Sequence, residues 1–267
     1  MDKNIKKDLQ KTELEQLLCD LPIKKVEVKQ VVTSTNKILK VIAEEENISD
    51  YLMVAHSQTD GIGRYNRKFF SPKDSGIYFS LLLRPVLPIQ ITTNLTVAMA
   101  VAVAFAIEKF TSRTCEIKWV NDLLVDGKKV CGILTEGSID AKTLSLNYAV
   151  VGVGINLYKP IGGFDETIKD IAGEIALTNS LGKNKFLACI LKNFYAFLQD
   201  LTSPKLFEEY SKRLAFVGCM VDILKNGKKT DVGIVVGLNK DYKLLVKTPD
   251  GIIQSLDSGE ISARLIK

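Results

Sequence analysis

The stretch QTDGIGRYNRKFFSP, residues 58–72, decides how the chain is organised. Two glycines stand two apart, followed by Arg64, Arg67 and Lys68, the adjacent aromatics Phe69 and Phe70, and a Ser-Pro stop. The stretch lies between the apolar runs YLMVAHS and IYFSLLLR, so it reads as a long basic loop joining two buried strands. Gly61 and Gly63 can take backbone angles closed to other residues and leave their amides unobstructed, while the cations supply positive charge. Such a loop suits an anionic ligand. A solvated glycine turn with scattered cations fits an isolated GxGR equally well, and the choice falls to polar residues elsewhere.

Upstream of the loop, VEVKQVV at 26–32 alternates as a strand does and runs into Ser34-Thr35-Asn36, where Ser34 or Thr35 caps a helix NKILKVIAEEE. Before that, Leu9, Leu14, Leu17 and Leu18 among charges predict a short amphipathic helix within 4–19. Downstream, Pro85 and Pro88 break the chain ahead of a long helix over 91–111. Its apolar run TVAMAVAVAFAI is too short to span a bilayer and reads as a core helix. In CEIKWVNDLLVDGKKVCGILTEG, residues 115–137, Asp126-Gly127 between apolar stretches is a two-residue hairpin signal. SLNYAVVGVGINL at 145–157 reads as a further buried strand, and helices follow over 183–200 and in SPKLFEEYSKRL, with Pro204 at the start of the second. From residue 216 the texture changes to short strands, GCMVDIL, DVGIVVGL, YKLLVKT and GIIQSLD, separated by NGKK, NKD and PDG turns. That spacing predicts a small all-β barrel or sandwich and a division into residues 1–214 and 215–267.

With 267 residues, 46% of them hydrophobic, the chain can bury a sizeable core. A net charge of +5 with Lys and Glu interspersed is a weak signal for nucleic acid, and the charged N-terminus lacks the apolar segment of a signal peptide. The five cysteines stand singly in apolar segments without a CxxC pair, which implies reduced thiols and a cytoplasmic location. His56 is the only histidine. It supports neither a zinc site nor a Ser-His-Asp triad and reads as a packing or hydrogen-bonding residue, so no metal-ligating set is expected.

KWVND at 118–122 gathers Lys118, Asn121 and Asp122 around the only tryptophan. Beyond the Asp-Gly turn, Lys129 alternates with Cys131, and Gly132 removes a side chain where something can approach closely. A lysine in an apolar strand is costly unless it meets an anion, whereas one beside a turn is commonly just solvated. The glycines of GVGIN at 152–156 lie within a strand and open no helix, so a dinucleotide fingerprint is excluded, and the basic loop lacks the GxxxxGK[ST] of a phosphate-binding P-loop. Cations and open amides without a nucleophile point to catalysis by positioning and charge neutralisation, such as carboxylate attack on a nucleotide phosphate.

Five blocks, STN at 34–36, QTDGIGRYNR at 58–67, KWVND at 118–122, GKKVCGIL at 127–134 and GVGIN at 152–156, fall in the order and spacing of biotin protein ligases, and the chain resembles that family from residue 25 onward. The resemblance implies an α+β fold: a mixed sheet flanked by helices, as in the class II synthetase-like biotin/lipoate ligase catalytic fold, followed by a small SH3-like β-barrel. It implies a two-step reaction. Biotin and ATP give biotinyl-5'-AMP and pyrophosphate, then a lysine of a biotin carboxyl carrier protein attacks the acyl adenylate. Carried over by position, Ser34, Thr35 and Gln58 hydrogen-bond the ureido ring, Asn36 belongs to the same biotin site, and Gly61 closes over biotin. Arg64 holds the carboxylate or phosphate, and Arg67 and Lys118 take the nucleotide phosphates with Mg2+. Lys129 stabilises the reacting carboxyl oxygen beside Gly132, Asn121 and Asn156 contact the adenylate, and Phe69 stacks on adenine. DNA and membrane partners are not expected, and a homodimer is left open.

The chain departs from the family pattern at Ile62, where many members have arginine, at Asn66 for glycine, Phe69 for tryptophan and Val120 for proline. Loss of a cation at Ile62 bears on how firmly the adenylate is held. Only 33 residues precede Ser34, too few for the DNA-binding helix-turn-helix of the repressor members, so the resemblance implies a ligase that does not regulate transcription. A lipoate ligase or octanoyltransferase shares the catalytic fold, but its RRxSGGG or nucleophilic-cysteine motifs are not found here. A catalytically silent binding module leaves the basic loop and Lys129 without a purpose.

Overall fold

The computed structural model describes residues 9–177, 182–225, 228–257 and 261–265. Helix α1 (Lys11–Leu17) leads into β1 (Lys25–Val32), α2 (Thr35–Glu45), β2 (Tyr51–Gln58), β3 (Gly76–Leu83) and the long α3 (Thr93–Thr111). Strands β4 (Glu116–Lys118), β5 (Asp122–Val125), β6 (Lys128–Asp140) and β7 (Ser145–Asn156) follow, then helices α4 (Lys183–Leu198) and α5 (Pro204–Lys212). The seven strands form one mixed sheet in the order β1-β2-β3-β7-β6-β5-β4, in which β1 and β2 are parallel and the other neighbours antiparallel. The parallel pair needs a crossover, and α2 supplies it. Asp126 and Gly127 turn β5 into β6 with φ of 50° and 71°, the left-handed pair that an Asp-Gly hairpin turn requires.

Because side chains alternate across a strand, the sheet has two different faces. On β3, Ile77, Phe79, Leu81 and Leu83 enter the core beneath α3 and α4. On the opposite face Leu82 packs with Leu39 and Ala43 of α2 and with Met53, Tyr148 and Val150. Helix α3 is long and apolar enough, by length and composition, to cross a membrane. Here residues 94–107, Phe105 apart, are buried against the sheet and α4, which is why it is apolar all round.

The face under α2 changes character along the strands. Past Leu82, the register sets Ser80 opposite Gly152 and Tyr78 opposite Gly154, and on the other side of β7 Gly132 lies opposite Gly154. The three glycines leave a shelf of bare backbone beside the N-terminus of α2.

Strands β8 (Met220–Lys225), β9 (Lys228–Leu238), β10 (Leu244–Lys247), β11 (Ile253–Leu256) and β12 (Ile261–Leu265) make a second, antiparallel sheet in the order β11-β10-β9-β8-β12, the SH3-like module. The sequence signals predict the first four of these strands and miss β12. The NGKK turn lies partly outside the described residues, at 226–227. The first helix is shorter than the 4–19 expected, and residues 1–8 are not among those described. Ser34 occupies the N-cap of α2 without a capping bond from its side chain, whereas Ser203 caps α5 by accepting from the Leu206 amide at 3.3 Å.

Candidate active site

The basic loop folds back on itself rather than spreading over the surface. The Gln58 amide donates to Ser71 O at 3.0 Å, the Phe69 amide to Gly61 O at 2.8 Å and the Gly63 amide to Arg67 O at 2.8 Å. These rungs make a narrow finger whose tip is a tight turn at Arg64–Asn66, with Tyr65 and Asn66 in the left-handed region at φ 57° and 55°. Asn66, where the family commonly has glycine, is a residue type that tolerates this conformation. Gly61 sits at the base, where a Cβ would stand 2.6 Å from Phe69 O, so its closeness is demanded by the loop itself. Ile62 forms a bridge with Lys68 inside the finger.

Ser34, Thr35 and Asn36 are all buried at the start of α2, next to the shelf. Gln58 Oε1 accepts from the Thr35 amide at 2.9 Å and from Thr35 Oγ1 at 3.2 Å, and Gln58 Nε2 donates to Ser71 Oγ at 3.0 Å. Ser80 Oγ lies 2.7 Å from Thr35 Oγ1 and 2.5 Å from Asn36 Oδ1. Asn36 Nδ2 donates to Leu134 O at 3.3 Å and to Glu136 Oε2 at 3.0 Å. The Asn36 amide covers Gly152, and the Phe69 ring covers Gly154 and Gly132. A Cβ would stand 1.9 Å from Asn36 Oδ1 at Gly152 and 2.3 Å from Phe69 Cε1 at Gly154. The half-buried Phe69 ring lies on the shelf, edge-on to Tyr78 with centroids 6.4 Å apart.

Lys129 reaches the same place from β6, its Cε and Nζ 3.3 Å from where a Gly132 Cβ would stand. Its ammonium pairs with Asp122 Oδ1 at 2.7 Å, the anion that makes a lysine in this strand tolerable. The segment after β7 returns to hold the lysine's backbone: the Lys129 amide donates to Ile171 O at 2.7 Å and the Gly173 amide to Lys129 O at 2.9 Å. Asn156 Nδ2 secures that segment through Gly173 O at 3.0 Å, so Asn156 serves the wall of the site in this structure. Asn121 Nδ2 donates to Ile133 O at 2.9 Å and to Asp122 Oδ1 at 3.3 Å, and its Oδ1 accepts from Arg64 Nη1 at 3.1 Å. Arg64 also donates to the Tyr65 hydroxyl at 3.1 Å. Arg64 and Arg67 both lie over the Tyr65 ring, at 5.1 and 5.8 Å, with Arg67 exposed. Lys118 ends β4, in register with Asp122.

The predicted residues thus gather in two groups. Ser34, Thr35, Asn36, Gln58, Gly61, Phe69, Gly132 and Lys129 surround the shelf, while Arg64, Asn121, Lys118 and Arg67 lie toward the finger tip and the β4–β5 turn. A cavity of about 390 Å3 along β6 where β5 has ended takes in Arg64 and Asn121 from the second group, together with Thr92 at the N-cap of α3 and Thr93 and Thr96 within it. Asp122 and Tyr65 carried no assigned role in the sequence reading. Their positions depend on the β5–β6 register and the left-handed tip, which no local pattern reveals. Among the described residues no group of three or more His, Cys, Asp or Glu side chains is gathered to hold a metal. His56 is buried in β2.

Residues 28–156 match the Biotin/lipoate A/B protein ligase family, and residues 217–264 match the Biotin protein ligase C terminal domain. Over 232 residues the chain is 33% identical to the bifunctional ligase/repressor BirA of Bacillus subtilis, an overlap of 83% of this chain and 69% of that protein. The chain belongs to the biotin/lipoate protein ligase family. It is also 25% identical to the biotin--[acetyl-CoA-carboxylase] ligase of Mycobacterium tuberculosis, over 81% of this chain and 80% of that one. The solved biotin protein ligase from Aquifex aeolicus, in complex with biotin and ATP, superposes with a TM-score of 0.72 at 28% identity, covering 91% of this chain and all of that one.

The two parts of this ligase family member meet beside the site. Trp119 is buried and its Nε1 donates to Tyr242 O, in the β9–β10 turn, at 2.8 Å. Tyr210 of α5 donates its hydroxyl to Val120 O at 3.1 Å and packs edge-on against the Tyr242 ring. The Trp119–Val120 peptide is cis.

Proposed function

We propose that this enzyme is an ATP-dependent biotin protein ligase. A biotin carboxylate oxygen attacks the α-phosphorus of ATP and expels pyrophosphate. The amino group of a carrier-protein lysine then attacks the acyl carbon of the adenylate, forming the amide, losing a proton and releasing AMP. The observation that carries this reading is the convergence of the helix start 34–36, Gln58 and Lys129 on one glycine shelf with Arg64 at its approach. In this reading Ser34, Thr35, Asn36 and Gln58 hold the ureido ring, and Gly132, without a side chain, leaves room beside it for Lys129. Lys129, exchanging Asp122 for the substrate, draws the carboxylate and the α-phosphate oxygens together. Arg64, Arg67 and Lys118 neutralise the phosphates, Asn121 orients Arg64, and the Phe69 ring, lying on the shelf, sets the wall of the vitamin's slot.

Mg2+ fits as a companion of the nucleotide: Asp122 lies among the cations, and Mg2+ is commonly held by one or two carboxylates plus substrate phosphates. It would supply charge neutralisation on the departing pyrophosphate. The acceptor is the lysine-bearing domain of a biotin carboxyl carrier protein, and the setting is cytoplasmic, in keeping with five free thiols. We place the boundary between the catalytic and C-terminal parts at residues 214 and 215. Incubation with biotin, ATP, Mg2+ and a carrier domain is expected to add one biotinyl group to the carrier by mass spectrometry. No gain, or a gain with lipoate in place of biotin, refutes the proposal.

A further inference from the structure

Lys40 and Glu136 lie outside the five sequence blocks, yet Glu136 touches the buried Asn36 and Lys40 touches Glu136. Lys40 stands one turn after Asn36 on α2, so both side chains face the same strand, β6. There Lys40 Nζ binds Glu136 Oε1 at 2.7 Å while Glu136 Oε2 accepts from Asn36 Nδ2 at 3.0 Å. The contact with Glu136 holds the Lys40 ammonium above its ordinary value.

A carboxamide has one face that donates and one that accepts, and its neighbours decide which way it turns. Ser80 cannot decide for Asn36. Its hydroxyl can donate to an amide oxygen or accept from an amide nitrogen, and its single proton is also claimed by Thr35 Oγ1 at 2.7 Å. Leu134 O and the Glu136 carboxylate are acceptors only, and they pull the Asn36 NH2 toward β6. The Leu134 contact is long at 3.3 Å, which leaves the carboxylate as the stronger determinant. With the NH2 so engaged, Oδ1 is the atom presented over Gly152.

We propose that Glu136, clamped by Lys40, is a positioning residue that turns Asn36 into a hydrogen-bond acceptor on the shelf, and so selects ligands whose ring carries N–H groups, as a cyclic urea does. The inference rests on the biotin ligase reading of residues 34–36. A glutamine at 136, its oxygen kept by Lys40, would present its NH2 where Glu136 Oε2 accepts from Asn36, favouring the turned amide with its own NH2 over Gly152.

The test measures biotin-dependent ATP–pyrophosphate exchange by the full chain, varying biotin and ATP separately. Glu136→Gln is expected to raise the KM for biotin about tenfold, the value of one ligand hydrogen bond, with the KM for ATP and kcat unchanged. Lys40→Met is expected to raise the KM for biotin about threefold, because its ion pair is partly exposed, and Lys40→Arg to restore it. A purely structural role would move both substrates together with the melting temperature. A biotin KM within twofold of the parent in Glu136→Gln overturns the inference, as does an unchanged biotin KM in Lys40→Met should Glu136→Gln fail to fold. Absence of biotin-dependent exchange in the unmutated protein refutes the ligase reading itself, and the inference with it.

Discussion

Replacing Gly152 with alanine probes the shelf most directly, because the expected sign is opposite to that of the same change elsewhere. In extended backbone, glycine to alanine ordinarily stabilises by roughly 0.5–1 kcal/mol, since alanine loses less freedom on folding. At Gly152 the new methyl would stand 1.9 Å from Asn36 Oδ1. An ordinary contact requires that oxygen to retreat by about 1.5 Å, which no hydrogen bond survives. The 2.5 Å link to Ser80 and the 3.0 Å bond to Glu136 would both break, each worth roughly 0.5–1.5 kcal/mol. The gross loss of about 1–3 kcal/mol, less that usual gain, leaves a net destabilisation centred near about 1 kcal/mol, a fall of roughly 2–4 °C in melting temperature for a chain of this size. Biotin KM should rise at least tenfold, as Asn36 leaves the shelf with the Ser80–Thr35–Gln58 chain disturbed behind it. Thermal unfolding followed by circular dichroism, with exchange kinetics on the same preparation, reads both. A variant as stable as the parent with an unaltered biotin KM would show that Asn36 does not lie over Gly152 as described.

Three further outcomes are expected. Lys129→Ala should lower the rate of biotin adenylation by roughly 10²–10³-fold, the usual loss for one charge-stabilising donor, while calorimetry shows the fold nearly unchanged because the Asp122 pair is partly exposed; near-parental exchange would show the role misassigned. Trp119→Phe leaves the buried Tyr242 carbonyl without its donor and should cost about 1–3 kcal/mol in urea titration; an unchanged midpoint would mean that the seam is not closed by this bond. The Arg213 guanidinium beside Glu209 holds its carboxyl below the usual value of 4.5. A carboxyl lowered on folding contributes stability that is present above 4.5 and lost as pH falls through its folded value. The gap in melting temperature between the parent and Glu209→Gln should therefore be full at pH 7 and shrink below pH 4.5; a gap independent of pH would contradict the pairing.

The sequence makes the two sheets, the Asp-Gly hairpin and the blocks around the site readable, because alternation and turn chemistry are local. It does not reveal that Phe69 lies on Gly154, since the ring reaches the shelf only when the finger closes through its Gly61 and Gly63 rungs. Asp122 was visible as a residue of KWVND but not as the partner of Lys129, because that pairing depends on the register of β5 against β6, shifted at Leu123/Leu124. Asn156, expected at the adenylate, is engaged by the segment that returns along Lys129, a contact made by chain with no regular pattern. Glu136 has no role in the sequence blocks, and only its distance to Asn36 distinguishes it.

The seam at Trp119 also has an optical consequence. The chain contains a single tryptophan, so all indole emission arises from one place, between Lys118 and Val120 and against the Tyr242 carbonyl. Undocking of the C-terminal sheet would admit water to that ring and shift its emission to longer wavelength. Occupation of the neighbouring finger by nucleotide would alter its intensity. The protein therefore carries an unlabelled probe of two events, and the Phe substitution at 119 supplies the dark reference for both.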